Sequence, residues 1–368
     1  MPKCKYNFGE TVPYFVAPAS NNNQFHFDSI AGRYVVMSFL GSTRIAANLE
    51  RLQQILTLNR QLFDDSKMCF FGISIDSSDH SNGRLQQEIP GIRYFWDFQA
   101  NISVNYGALS PDLLSQDLEV KLAAYQGFTL ILDPELRVMA VVDYEDSEHD
   151  HKVSHLLQNL PGIDDHAQTK LHAPVLIVPR VFEPEFCQEL IALYRYHGGK
   201  DSGFMREIEG KTRAMIDYSF KRRMDYVITD EKLMALIRHK IISRLIPQIY
   251  KAFQFKVTRM ERYIICRYDG ETKDFFRLHR DNTTKGTAHR RFAVTINLNS
   301  EEYEGGNLRF PEFGSKIYRA PTGGAVVFSC SLLHEATPVT RGERFAFLPF
   351  LYDEEAAQIR TANQKYLG

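Results

Sequence analysis

Apolar positions follow two rhythms in the first part of the chain. Tyr34-Val35-Val36-Met37-Ser38-Phe39-Leu40 and Met68-Cys69-Phe70-Phe71-Gly72-Ile73-Ser74-Ile75 are nearly unbroken apolar runs. Strands buried on both faces have this pattern. Between them, Leu49, Leu52, Ile55 and Leu56 recur at helical spacing within residues 45–62, which predicts an amphipathic helix. Tyr94-Phe95-Trp96-Asp97 predicts a short third strand. Residues 127–133 and 138–142 predict a hairpin turning through Pro134-Glu135, and residues 151–160 a closing helix. Pro161-Gly162-Ile163-Asp164-Asp165-His166-Ala167 is polar and rich in turn formers, which predicts a linker.

The rhythm then changes. Ala173-Pro174-Val175-Leu176-Ile177-Val178-Pro179 predicts a strand, and Pro184 opens a helix to about Tyr196, with proline in the first turn where its missing N–H costs nothing. Residues 198–212 are polar, contain glycine and lack periodicity; they predict a loop and a candidate lid. Asp230 is placed to cap a long helix reaching about Phe253, with Leu233, Leu236, Ile237, Ile241, Leu245 and Ile249 on one stripe. Beyond it come short β-rich runs at residues 263–268, 292–298, 307–310, 316–318, 325–328 and 345–351, punctuated by Gly305-Gly306, Pro311, Gly314 and Pro321-Thr322-Gly323-Gly324. Many short strands between such turns imply a double-sheet jelly roll. The expected architecture is therefore two domains, α/β plus β. Residues 1–162 are thioredoxin-like in element order; residues 170–368 form a double-stranded β-helix with buttressing helices.

Composition narrows the class. The chain has 368 residues, 44% hydrophobic and 24% charged, as expected of a soluble globular protein. A net charge of −1 gives no footprint for nucleic acid or a membrane surface. Lys221-Arg222-Arg223 reads as a solvated strand edge or turn. His289-Arg290-Arg291 lies near the chemistry described below and is a candidate rim of its entrance. Met1-Pro2-Lys3-Cys4-Lys5-Tyr6 has no apolar core of a signal peptide, and no run approaches membrane-spanning length. The five cysteines, at 4, 69, 187, 266 and 330, are scattered and form no Cys-x-x-Cys. That points to reduced thiols and a cytoplasmic protein, with Cys69, Cys266 and Cys330 as packing residues.

The candidate chemistry lies in residues 263–352. Leu278-His279-Arg280-Asp281 is followed, after the β-like runs, by Leu333-His334-Glu335, and Arg344 lies ten residues beyond His334. Two histidines and a carboxylate can hold one face of a metal ion and leave the other open, the arrangement of non-heme Fe(II) oxygenases. The tripeptide alone is a weak signal. His26-Phe27-Asp28 is the same tripeptide with no matching strands, distal histidine or spaced arginine after it, and carries no weight.

This segment resembles the 2-oxoglutarate- and Fe(II)-dependent oxygenases of the prolyl 4-hydroxylase-like branch. The similar pieces are Arg267-Tyr268-Asp269-Gly270, His279-x-Asp281, Tyr303-Glu304-Gly305-Gly306-Asn307-Leu308, and the block from His334-Glu335-Ala336-Thr337-Pro338 to Arg344. The resemblance implies Fe(II) held by His279, Asp281 and His334, and 2-oxoglutarate as cosubstrate with its far carboxylate on Arg344. Tyr268 and Asn297 stand where relatives place further polar cosubstrate contacts, and ascorbate is a candidate reductant. The implied reaction is hydroxylation of an amino acid, peptide or small molecule, with release of succinate and carbon dioxide. Asp281 is intact, which favours oxygenation over halogenation. Two rivals stay open: a scaffold whose centres have lapsed, and an atypical thiol peroxidase.

Residues 1–162 resemble the peroxiredoxins. The similar pieces include Phe8-Gly9-Glu10-Thr11-Val12-Pro13, Phe71-Gly72-Ile73-Ser74-Ile75-Asp76, Asn105-Tyr106-Gly107 and Phe128-Thr129-Leu130-Ile131-Leu132-Asp133-Pro134. The turn that should carry the reactive thiol instead reads Gly41-Ser42-Thr43-Arg44-Ile45-Ala46-Ala47. Without a thiolate there is no attack on peroxide, so this domain is expected to be non-catalytic and to serve a homodimer, a partner or the second domain.

Overall fold

The computed structural model describes residues 4–19 and 22–368. Met1-Pro2-Lys3, read above as part of a start without a leader, lie outside the described residues. Two compact units are present. The first is Met1–Leu171 together with Pro311–Ser315, the second His172–Phe310 together with Lys316–Gly368. Each is a mixture of helices and sheets.

The first unit is built on seven strands: β1 (Val16–Ala19), β2 (Asn22–His26), β3 (Tyr34–Gly41), β4 (Met68–Ser74), β5 (Ile92–Trp96), β6 (Phe128–Leu132) and β7 (Val138–Asp143). Their order is β2-β1-β5-β4-β3-β6-β7. β3, β4 and β5 run parallel, and β6 and β7 close the sheet antiparallel. Every residue of β3 and β4 is buried, as their unbroken apolar runs predict. Leu52 and Ile55 of the helix Ala46–Asn59 and Val153 and Leu157 of the helix His149–Gln158 pack on Tyr34, Val36 and Leu40 of β3. At the turn after β3 the Thr43 hydroxyl donates to Asp79 at 2.5 Å, and Arg84 Nε donates to both Thr43 and Asp79. A fully bonded polar network occupies this turn.

The segment read as a linker contains a short 3-10 turn, Ile163–Asp165. The Asp164 carboxylate accepts from the backbone N–H and hydroxyl of Ser315 at 2.6 and 2.7 Å.

The second unit holds two main antiparallel sheets. The larger runs in the order Arg259–Glu261, Phe350–Tyr352, Phe292–Asn297, Glu343–Phe347, Ile264–Asp269, Met224–Val227, Lys200–Asp201. Ala325–Ser329 pairs with Phe292–Asn297 and with Leu176–Val178. The smaller runs Lys221–Arg222, Phe275–His279, His334–Ala336, Leu308–Arg309, Ile317–Tyr318.

Alternation sorts the larger sheet's faces. Ile265, Phe345, Phe347 and Leu351 pack with Phe186, Leu190 and Ile191 of the helix Pro184–His197 and with Ile237 and Ile241 of the helix Glu231–Arg244. Each such side chain contributes about 1.5–3 kcal/mol by leaving water. Tyr268, Arg344 and Ala346 point to the other face, where the site lies.

Three expectations need correction. Residues 198–212 are not a loop: Phe204–Ile208 and Lys211–Met215 form an antiparallel hairpin. Its turn, Glu209-Gly210, has φ of +52° and +72°, the twist that two-residue hairpins require. Glutamate lacks the turn signal of asparagine or aspartate, and the largely exposed strands show no apolar alternation. The long helix from Asp230 is two helices, Glu231–Arg244 and Ile246–Phe253. Pro247 cannot donate within a continuous helix, but it fits the first turn of a new one. The Asp230 cap itself is present, accepting from Leu233 N–H at 2.7 Å. Finally, Lys221-Arg222-Arg223 is not a solvated edge. Lys221 and Arg223 are 4% and 6% exposed, because their side chains fold inward onto the base of the hairpin.

Candidate metal and cosubstrate site

The strand Phe275–His279 pairs with His334–Ala336 so that His279 and His334 stand directly opposite each other. Asp281 follows two residues later, its backbone N–H donating to Cys330 O at 2.9 Å. One ligand atom from each of the three side chains falls within 4.8 Å of the others. His279 Nε2 lies 3.6 Å from one carboxylate oxygen of Asp281, and His334 Nε2 lies 3.4 Å from the other.

Both rings are oriented by their other nitrogen. His279 Nδ1 lies 2.7 Å from Arg277 O and His334 Nδ1 2.9 Å from Leu332 O. A carbonyl can only accept, so Nδ1 carries the proton and Nε2 offers its lone pair to the shared space. Outer-shell partners fix metal-binding imidazoles in this way. Burial, reinforced by the His279 ring, pushes the His334 imidazolium down to about 4. The neutral ring is the form that binds a metal. Burial works against the Asp281 carboxylate, but His334 and His279 in their protonated forms, with Arg290, more than offset it and hold its pKa well below the usual range. Two imidazole nitrogens and one anionic oxygen in one small volume fit a divalent cation.

Arg344 stands on the strand Glu343–Phe347, directly opposite Tyr268. It is 2% exposed, yet Nε and Nη1 have no hydrogen-bond partner. Its guanidinium carbon lies 5.0 Å from the Tyr268 ring centre. Two unpaired donors on a buried planar fork fit one carboxylate. Gly306 makes room for it, since a Cβ there would come within 2.9 Å of Arg344 Cδ and 2.8 Å of Val339.

Asn297 lies on the same face, opposite Ala346. Its Nδ2 donates to Ala320 O at 2.8 Å, while Oδ1 is buried without a partner. The Tyr268 hydroxyl is 3.4 Å from Arg223 Nη1. Sequence reasoning missed Arg223 and the buried, unpaired hydroxyl of Tyr303, which packs with Tyr268, Cys266 and Val339. The only trace of Arg223 in the sequence was the basic run that was misread as surface.

His289-Arg290-Arg291 does not rim an entrance. His289 and Arg290 are buried and grip Glu261, at 3.0 Å through Nε2 and 2.8 Å through Nε. Arg290 Nη1 also reaches Asp281 O at 3.4 Å, so the pair braces the loop that carries Asp281. Burial alone would raise the Glu261 pKa; His289 and Arg290 instead bring it down to about 2. A depressed carboxylate stabilises the fold above its unfolded pKa and loses that contribution as pH falls through the folded value. Glu261→Gln is therefore expected to cost on the order of 3 kcal/mol at pH 7. The difference from wild type should shrink between about pH 4.5 and 2. Denaturant titrations at pH 7, 4 and 3 measure it, and a pH-independent difference would contradict this account.

Residues 263–352 match the family model of the 2OG-Fe(II) oxygenase superfamily, so the second unit carries a domain of that class. A PKHD-type hydroxylase of Nitrosomonas europaea is 33% identical over 109 residues, 27% of this chain and 46% of the relative. The chain thus spans somewhat under half the length of that curated relative. Among solved structures, a prolyl-4-hydroxylase of Pseudomonas putida is similar at 16% identity and TM-score 0.37, covering 52% of this chain and 96% of its own. A peroxidoxin of Mycobacterium tuberculosis is similar at 18% identity and TM-score 0.34, covering 43% and 99%. Among the described residues no helix is long and apolar enough to cross a membrane.

Proposed function

We propose that this chain is an Fe(II)- and 2-oxoglutarate-dependent dioxygenase that hydroxylates an amino acid, peptide or other small molecule. One observation carries the reading: Nε2 of His279 and of His334 and the Asp281 carboxylate converge, and the buried Arg344 keeps two donors unpaired. His279, Asp281 and His334 would hold the metal, and Arg344 would receive the far carboxylate of 2-oxoglutarate. When bound, iron and 2-oxoglutarate supply the oxidising chemistry, with succinate and carbon dioxide as co-products. The protein's part is placement. Arg277 O and Leu332 O fix the imidazole tautomers, and Arg290 steadies the Asp281 backbone. Tyr268 backs Arg344, and the aromatic rings of Phe276, Phe310 and Phe328 around the histidines keep water away. In this reading the two main sheets are the halves of a double-stranded β-helix. Tyr268 and Asn297 would add cosubstrate contacts, and ascorbate would serve as reductant. Succinate formation by the iron-loaded full chain tests the proposal, as set out in the Discussion.

We assign the first unit a thioredoxin-like, non-peroxidatic role in a cytoplasmic homodimer. The support for the non-peroxidatic role is chemical. Ala46 and Ala47 begin the helix where a reactive thiol should stand, and all five cysteines are buried. Burial pushes the Cys69 thiol up to about 12, far from the thiolate that attacks peroxide. The full chain should consume hydrogen peroxide no faster than buffer with the same thiol reductant, and should scatter light as a dimer. Rapid thiol-dependent peroxide loss would overturn the first assignment, and a monomer the second.

A further inference from the structure

Beside the site lies a knot of charge that neither a metal nor a cosubstrate explains. Lys221 Nζ donates to Ser202 Oγ at 2.7 Å and to Gly203 O at 2.6 Å, two neutral oxygens. Arg223 Nη2 donates to the same Ser202 Oγ at 3.0 Å and to Asp225 at 2.7 Å. Arg262 Nη2 stands 3.7 Å from that Asp225 carboxylate. Arg223 and Arg262 thus share one carboxylate, and Lys221 beside them meets two neutral oxygens, so three basic side chains stand against a single acidic one.

The knot touches both halves of the site. Lys221 Nζ lies 4.8 Å from the centre of the Phe276 ring, and that ring stacks on His279 with centroids 3.5 Å apart. Arg223 reaches the Tyr268 hydroxyl, and Tyr268 backs Arg344. Arg262 feels the charge of Asp281. A divalent ion at the triad would more than cancel Asp281, and 2-oxoglutarate would be spent on Arg344 and the metal. Neither would neutralise the knot.

Like charges gathered out of water are costly unless an anion joins them. Burial and the neighbouring Arg223 push the Lys221 ammonium well below its ordinary value, and burial and the same arginine bring Arg262 down to about 10.

We propose that Lys221 and Arg262, with Arg223 held between them by Asp225, receive an anionic group, a carboxylate or a phosphate, on the substrate to be hydroxylated. This rests on the oxygenase reading above and adds a substrate class to it. Lys221 brings a point charge from the edge of the smaller sheet, and Arg262 brings a planar fork. Lys221 would turn N–H donors that now go to Ser202 Oγ and Gly203 O, at the base of the hairpin, to the anion.

The test places Mn(II) at the triad of the full chain, with saturating 2-oxoglutarate so that Arg344 is occupied. Inorganic phosphate and acetate are the two probes, each titrated at constant ionic strength. Paramagnetic relaxation of the phosphate 31P and the acetate methyl signals reports an anion close to the metal. Electron paramagnetic resonance of free Mn(II) reports metal binding separately. At least one probe should show saturable enhancement in wild type. Lys221→Met and the half-buried Arg262→Gln should each weaken it by about tenfold or more. The stronger probe tells carboxylate from phosphate. Wild-type protein that binds Mn(II) but enhances neither probe would overturn the proposal, as would variants that bind the probes as well as wild type does. Protein that leaves Mn(II) free would instead sink the metal reading. The anion proposal is then decided by a thermal upshift with either probe that appears in wild type and is lost in both variants.

Discussion

His279→Ala, Asp281→Ala and His334→Ala proteins, supplied with iron and 2-oxoglutarate, should form succinate no faster than the no-enzyme control. The expected loss is at least about a hundredfold, since even outer-shell partners of metal ligands account for 10–100-fold. Each of the three makes a different contribution. Asp281 is the sole anion of the set, and its pKa lies well below the usual carboxylate range. Its removal leaves two imidazoles to hold a divalent ion. The histidines oppose each other across one strand pair, so neither can move to cover for the other. Metal titration by calorimetry should show the same order of loss as turnover. Full activity in any of the three variants would mean that the metal is held elsewhere.

The second large effect is expected at Arg344. Arg344→Ala should raise the 2-oxoglutarate concentration needed for half-maximal turnover by roughly 30-fold to several thousand-fold. That range corresponds to the 2–5 kcal/mol cost of breaking a buried, charge-assisted pair. Arg344→Lys should fall between, because lysine keeps the charge and loses the fork. Arg341, three residues earlier, is the control. Its side chain is 77% exposed and pairs at the surface with Glu304. Such pairs are worth about 0–1 kcal/mol, so Arg341→Ala should shift the requirement by no more than about fivefold. Equal effects at the two positions would place the cosubstrate carboxylate elsewhere.

Much of this was legible in the residues, for identifiable reasons. Strands buried on both faces must be apolar throughout, so Tyr34–Gly41 and Met68–Ser74 announce themselves. That His279, Asp281 and His334 cluster, and that Arg344 is buried, was legible in the residue types and their fixed spacings. The Gly305-Gly306 pair of the motif has a steric cause, in that Gly306 clears the space Arg344 occupies. What failed was whatever depended on where long polar side chains fold. Lys221 and Arg223 look like surface residues in one dimension. Only the hairpin, Phe276 and Tyr268 make them interior. His289 and Arg290 read as a basic rim because Glu261, their shared partner, is nearly thirty residues away. The hairpin Phe204–Met215 was invisible because its strands bury little and its turn uses glutamate.

The central claim is that the triad and Arg344 together run oxygen-dependent turnover of 2-oxoglutarate. The most direct measurement is succinate formed by the full-length, iron-loaded chain in air, compared with the same protein under nitrogen and with His334→Ala in air. The account predicts succinate in the first case and background in the other two. Protein that holds iron stoichiometrically at the triad, binds 2-oxoglutarate and yet yields no succinate in air, with or without the anionic compounds expected to act as substrates, would contradict it.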